Sequence, residues 1–267
     1  MKKQFPDIVL SVLLALLFIL LQAVVALFVK GVFGSQGLML IAGVTVPALV
    51  ILFIASSVNK TTLKRTIHWG AVRGGRVLPV ILMTLSAAVL ASEAENIIAD
   101  YVLSPETYFK YIEDFSKLFV MENRADLLLG LVSLTIFGPL MEEALFRGVI
   151  YRGIAKNRGR LIAVITSSIL FMLVHVNPVQ FPAALVLGIL FSAMIARGYS
   201  VTDTFLSHAL FNIISAFFFF DIVEFPGISV NRAVEVVHVP LYLILLSLMT
   251  FTASLFVVFR GFDGRDD

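Results

Sequence analysis

The sequence predicts an all-α fold: a polytopic membrane helix bundle of about eight transmembrane helices with both termini cytoplasmic. Three observations carry this. Of 267 residues, 59% are hydrophobic and 14% charged, and the mean hydropathy is +0.99. Soluble domains run at about 25% charged, so one aqueous core could not hide this much apolar surface. The apolar residues also fall into stretches near the ~20 that a helix needs to cross the hydrocarbon core, and the basic residues collect in alternate loops. No stretch is polar enough for a second, soluble domain, so residues 1–267 read as a single membrane domain.

Taken in order, Met1-Lys2-Lys3 followed by Ile8–Val29 has the outline of a signal peptide. The apolar run is about 22 residues, longer than the ~7–15 of a signal core. Ala23-Val24-Val25-Ala26 resembles a cleavage site, but Leu27-Phe28-Val29 continues the run, so a retained first span at 8–29 is expected. Further spans are expected near 37–58, 77–94, 126–146, 161–176, 181–197, 203–220 and 238–259, the fifth and sixth being short. Between spans three and four, residues 95–124 interleave Tyr108, Tyr111, Ile112, Phe115 and Phe119 with Glu106, Lys110, Glu113, Asp114 and Lys117. That helical spacing predicts an amphipathic segment on the outer face, serving as a cap or as a contact for a partner. Phe217–Phe220 reads as lipid-facing or as packing.

Lys2 and Lys3 precede span one. Lys60, Lys64, Arg65, Arg73 and Arg76 follow span two, and Arg152, Lys156, Arg158 and Arg160 follow span four. Arg197 follows span six, and Arg260 and Arg265 follow span eight. On the other side Lys30, Lys110, Lys117, Arg124 and Arg232 are mixed with acids. This alternation places the first set in the cytoplasm. Cysteine is absent, which excludes disulfides, thiolate metal ligands and a cysteine nucleophile.

The chemistry-bearing residues lie inside these apolar stretches. Glu142 and Glu143 end the apolar run Leu127–Leu140, where an ionised carboxylate costs roughly 2.5–3.5 kcal/mol on insertion scales. Glu143 and Arg147 are four apart, so they share a helix face and can pair, whereas Glu142 is rotated by about 100° from that face. Glu143 is thus expected to be anchored and Glu142 available as a general base. A helix-end ion pair fits the same residues. His175, one turn after Phe171, can orient or deprotonate a water, or can be a core histidine bonded to a carbonyl. His208 and Asn212, also one turn apart, offer oxyanion donors or interhelical hydrogen bonds. The remaining histidines, His68 and His238, sit near span ends and read as interface residues.

In order, EEALFR (Glu142–Arg147), FMLVH (Phe171–His175) and HALFN (His208–Asn212) resemble the three motifs of the CAAX protease and bacteriocin-processing family. That family includes the Ras-converting CAAX endopeptidases and bacterial abortive-infection proteins. The resemblance covers about residues 125–220. It implies an intramembrane endopeptidase in which Glu142 and His175 activate water, His208 and Asn212 stabilise the oxyanion, and Glu143, Arg147 and Phe171 support the site. The implied substrate is a peptide or membrane-anchored protein, lipidated or not; membrane lipid is a partner and nucleic acid is not.

No cofactor is expected. Zinc held by Glu142, His175 and His208 is the lesser alternative, because H-E-x-x-H is absent and the candidate ligands come from three helices. Counted at ~1.5 Å per residue from Arg152–Arg160, Glu142 lies about 15 Å deep and His175 about 22 Å, while His208 lies under about 10 Å from Arg197 and Asp203. They converge only if span five is tilted or ends within the protein at Val176–Pro182, and the site is then expected to open toward the cytoplasm. The competing readings are a non-catalytic immunity or scaffold protein that binds a partner peptide through the same residues, and a proton-coupled transporter. The latter lacks the related halves it should show. A bacterial plasma membrane is the expected location.

Overall fold

The structure, a computed structural model, describes residues 4–72, 74–121, 123–220, 222–229 and 236–260. Lys2, Lys3, Arg73, Arg232 and Arg265, used above to orient the chain, lie outside the described residues. Among the described residues there is helix and no strand.

The first two helices form a hairpin. Helix α1 (Ile8–Phe33) is capped by the Asp7 carboxylate and ends at Gly34, whose φ of 68° supplies the left-handed turn. Helix α2 (Gln36–Val58) starts from Ser35, which accepts from the Leu38 amide and also donates to Asp126 far along the chain. A short α3 (Leu63–Ile67) and α4 (Val77–Tyr101) follow. The amphipathic segment forms α5 (Pro105–Lys117), capped by Ser104. It acts as a cover: Phe115 and Phe119 meet Phe219 edge-on at 5.1 and 6.0 Å, and Phe119 meets Phe220 at 5.5 Å. Phe219 and Phe220 are therefore packing residues, while Phe217 remains exposed.

The fourth span is longer than expected. Instead of ending near residue 146, a continuous helical rod runs over Arg124–Arg158, 35 residues. It comprises α6 (Arg124–Val132), a π-helical stretch Ser133–Phe137, α7 (Gly138–Glu143), a second π-helical stretch Ala144–Tyr151, and α8 (Arg152–Arg158). Gly159, with φ 92°, breaks it. Helix α9 (Arg160–Leu173) returns for only 14 residues, or about 21 Å at ~1.5 Å per residue, too short to cross a ~30 Å core alone. After a 3-10 turn at Pro178–Gln180 come α10 (Phe181–Ala196), α11 (Val201–Phe219) and α12 (Leu241–Phe259). Helix α11 opens on a reciprocal cap between Ser200 and Asp203. Among the described residues, seven helical segments are long and apolar enough to cross a membrane, and Arg160–Leu173 is a shorter apolar helix beside them.

The rod is the centre of the bundle. Phe146, Leu145, Ile150 and Ile154 on it pack with Phe18, Met83, Phe171 and Phe191 in the main core cluster. One end of the bundle is tied by basic and amide side chains. Arg158 pairs with Asp7 at 2.8 Å, Asn157 donates to Gln4 O at 2.6 Å, Asn59 donates to Phe5 O at 2.9 Å, and Arg76 donates to Val258 O at 2.7 Å. The other end carries α5, the start of the rod and a clasp between Glu93 and His238 at 2.9 Å.

Candidate active site

Glu142 and Glu143 stand on the last turn of α7, and Arg147 follows within the second π-helical stretch. The expected pairing is present. Glu143 Oε1 lies 3.0 Å from an Arg147 terminal nitrogen, and both side chains are 0% exposed. That contact is electrostatic rather than a well-aligned hydrogen bond, since the same nitrogen finds no hydrogen-bond partner. The guanidinium's other terminal nitrogen donates to Leu187 O at 3.3 Å and to Gly188 O at 3.4 Å on α10. Its plane lies 4.3 Å from the Phe171 ring centre and 5.5 Å from that of Phe191. Buried charges persist only with such partners. Arg147 is the largest fully buried side chain, and it fixes Glu143 between the rod and α10.

Glu143 in turn fixes His208. The ring's Nδ1 is 3.0 Å from Glu143 Oε1. A carboxylate accepts, so Nδ1–H donates, and Nε2 is left facing Glu142 Oε2 at 3.8 Å. Glu142 is the more open of the two acids, with 19% of its side chain exposed. His175 is set differently: its Nδ1 donates to Phe171 O at 2.8 Å, which makes Nε2 the acceptor in the neutral ring. Phe171 meets His175 edge-on at 4.9 Å and His208 at 5.7 Å, so one ring positions both imidazoles. Asn212 donates to Leu134 O on the rod at 2.8 Å; its amide nitrogen carries a second N–H.

Sequence spacing thus identified residues that the fold does bring together. Glu142, His175, His208 and Asn212 line one cavity of about 960 Å³, with Phe171 beside them. Among the described residues there is no hydrogen bond between Glu142 and His175, which share the cavity instead. Nor do three or more His, Cys, Asp or Glu side chains group there as metal ligands. The depth mismatch is resolved by α9 stopping at Leu173, so that His175 lies in the turn beyond it. Sequence reasoning missed the Leu187 and Gly188 carbonyls and Phe191. Only Gly188, in an otherwise bulky apolar helix, hinted at a close approach.

The cavity's lining extends to Phe115, Leu118 and Phe119 at α5, to Asn177 and Gln180 in the turn after α9, and to Ile228. These lie at the end of the bundle opposite the basic face, and no lysine or arginine is among the described lining residues. The short α9 ends partway through the bundle, and the space beyond its end belongs to the cavity.

Fold and site together define a polytopic helical membrane protein with a carboxylate–histidine centre held at mid-bundle. Residues 124–214 match the family described as Type II CAAX prenyl endopeptidase Rce1-like. The match covers about a third of the chain, from the first residue of the rod to two residues past Asn212, and contains every site residue named above. Over these residues the chain is similar to the CAAX protease family, a family of peptidases. No curated protein and no solved structure matches the chain.

Proposed function

We propose that this protein is an intramembrane endopeptidase that cleaves a membrane-associated peptide with water activated by Glu142 and His175. The observation carrying the reading is the division of labour between the two glutamates. Glu143 is fully buried and committed to Arg147 and His208, while Glu142 faces the cavity with His175. Water entering the cavity gives a proton to Glu142, oriented by the His175 Nε2 acceptor, and the hydroxide attacks the peptide carbonyl. His208, held through Nδ1–H by Glu143 and donating through Nε2–H when its ring carries both protons, and the second N–H of Asn212 bind the oxyanion. Glu142 returns its proton to the leaving amine, and no covalent intermediate forms. No metal is required by this scheme, and a zinc-dependent variant would use Glu142, His175 and His208. With the basic face cytoplasmic, the cavity lining supports entry from the α5 side of a bacterial plasma membrane.

The test compares wild type with Glu142→Gln, reconstituted in liposomes with a fluorogenic peptide library that includes farnesylated CAAX peptides, with and without a chelator. A positioned general base contributes about 10²–10⁴ in rate, so Glu142→Gln should lose at least 100-fold while keeping its thermal stability. Cleavage that survives the chelator supports the metal-free scheme, and loss restored by zinc replaces it. Equal cleavage by both proteins overturns the assignment of Glu142.

A further inference from the structure

A second carboxylate faces the same cavity. Glu95, on the last turns of α4, is half-buried and lines the cavity together with Ile112, Phe115 and Phe119 of α5. Its neighbours in sequence are engaged: Glu93 accepts from His238 at 2.9 Å and from the Val239 amide at 2.9 Å, and Asn96 donates to Gly227 O at 2.7 Å. Among the described residues, no hydrogen-bond or ion-pair partner serves Glu95, and nothing offsets its burial. Its charge reaches α5. The Tyr108 hydroxyl is pushed up to about 12, by burial first and by the Glu95 carboxylate second.

An ionisable side chain in apolar membrane surroundings is costly and characteristically lines a substrate path. Here the described lining holds two carboxylates, Glu95 and Glu142, and no lysine or arginine. A cation on whatever fills the cavity would supply the partner that Glu95 lacks among the described residues. We propose that Glu95 is a specificity-determining residue that pairs with an ammonium or guanidinium group on the peptide substrate, at a point in the cavity separate from the Glu142–His175 centre. This rests on the endopeptidase reading. A substrate carrying the cation pairs with the carboxylate, whereas its neutral isostere gains no such pair, and that difference discriminates between the two.

The experiment uses a liposome-reconstituted set of fluorogenic peptides made in twin form, with lysine or norleucine at each position in turn. Wild type should cleave at least one lysine peptide with kcat/KM tenfold or more above its norleucine twin, chiefly through KM. Glu95→Gln should bring that ratio toward one, and Glu95→Asp should restore part of it. Cleavage by wild type with no lysine preference, or a preference that Glu95→Gln keeps, overturns the proposal and leaves the peptidase reading standing. A binding arm separates the two readings where nothing is cleaved. The labelled peptides are titrated onto Glu142→Gln and onto Glu142→Gln/Glu95→Gln. Tenfold tighter binding of a lysine peptide to the single variant alone supports Glu95 recognition whatever the fate of the catalytic scheme. Equal binding to both proteins, or none, overturns it.

Discussion

The Asn212 side-chain amide donates to the carbonyl of Leu134 at 2.8 Å, bridging α11 to the rod. The reason lies in the rod's register. Over Ser133–Phe137 the helix is π-wound, and the Gly138 amide bonds Ser133 O. In that register Leu134 O awaits the amide of residue 139, which is Pro139 and has none. Asn212 supplies the missing donor.

Replacing Asn212 by leucine should therefore leave a half-buried carbonyl unsatisfied and destabilise the protein by about 1 kcal/mol. Pro139→Ala restores an amide at residue 139, so the double variant Pro139→Ala/Asn212→Leu should recover part of that loss. Thermal denaturation of the purified protein in detergent reads this. Strict additivity of the two substitutions would refute the register argument.

Arg147 and Glu143 should behave as one unit. Arg147→Met strands a fully buried carboxylate, and breaking such a pair costs about 3–5 kcal/mol. The double substitution Glu143→Gln/Arg147→Met removes both charges and should be more stable than Arg147→Met alone. It should still lose activity, because the glutamine's amide oxygen is a weaker acceptor for His208 than the carboxylate that orients it. A double variant less stable than the single would contradict this picture.

Gly188 is a packing requirement of the same site. A Cβ there would meet Ser168 Cα and Cβ at 3.0 Å and Ser168 O at 3.2 Å, on the facing helix α9. Gly188 O and Leu187 O also receive Arg147. Gly188→Ala should lower stability by about 1 kcal/mol and Gly188→Val by up to about 3. Activity should fall in parallel as Arg147 shifts, and unchanged kinetics in a folded Gly188→Val protein would show that the α9–α10 spacing does not set the site.

At the α5 end, the hydrogen bond to Glu93 raises the His238 pKa above its ordinary 6.5, aided by Asp100 at 3.4 Å. A raised folded-state pKa contributes stability that is fully present below about 6.5 and is lost as pH rises through the folded value. The melting temperature of wild type minus that of His238→Gln should therefore shrink as pH rises above about 6.5. His238 is well exposed, so solvent screening keeps the effect small. A difference that grows with pH would reverse the assignment.

Much of this was legible because helix geometry is local. One-turn spacing placed Glu143 beside Arg147, and apolar runs located the spans. Spacing could not reveal the π-helical stretches, since a one-residue change of register hardly alters the apolar pattern. Their cause lies in Pro139 together with a partner, Asn212, from another helix. The carboxylate that holds His208 and the carbonyls that receive Arg147 come from helices distant in sequence. The extent of the cavity was not legible for a related reason: it depends on α9 stopping at Leu173 and on α5 folding over the far end, neither of which is set by residues at the site.

The cavity wall has a consequence for how such a protein can diversify. Glu142, His175, His208 and Asn212 sit on the rod, α11 and the turn after α9, all within residues 124–214. Much of the facing wall, including Gln22, Met39, Ser92, Glu95 and Phe115, comes from the preceding helices α1, α2, α4 and α5. On the proposed endopeptidase reading, reaction and selection are encoded in consecutive parts of the chain. Exchanging the first part between relatives is then expected to retune what the cavity admits while leaving the proposed bond-breaking residues in place.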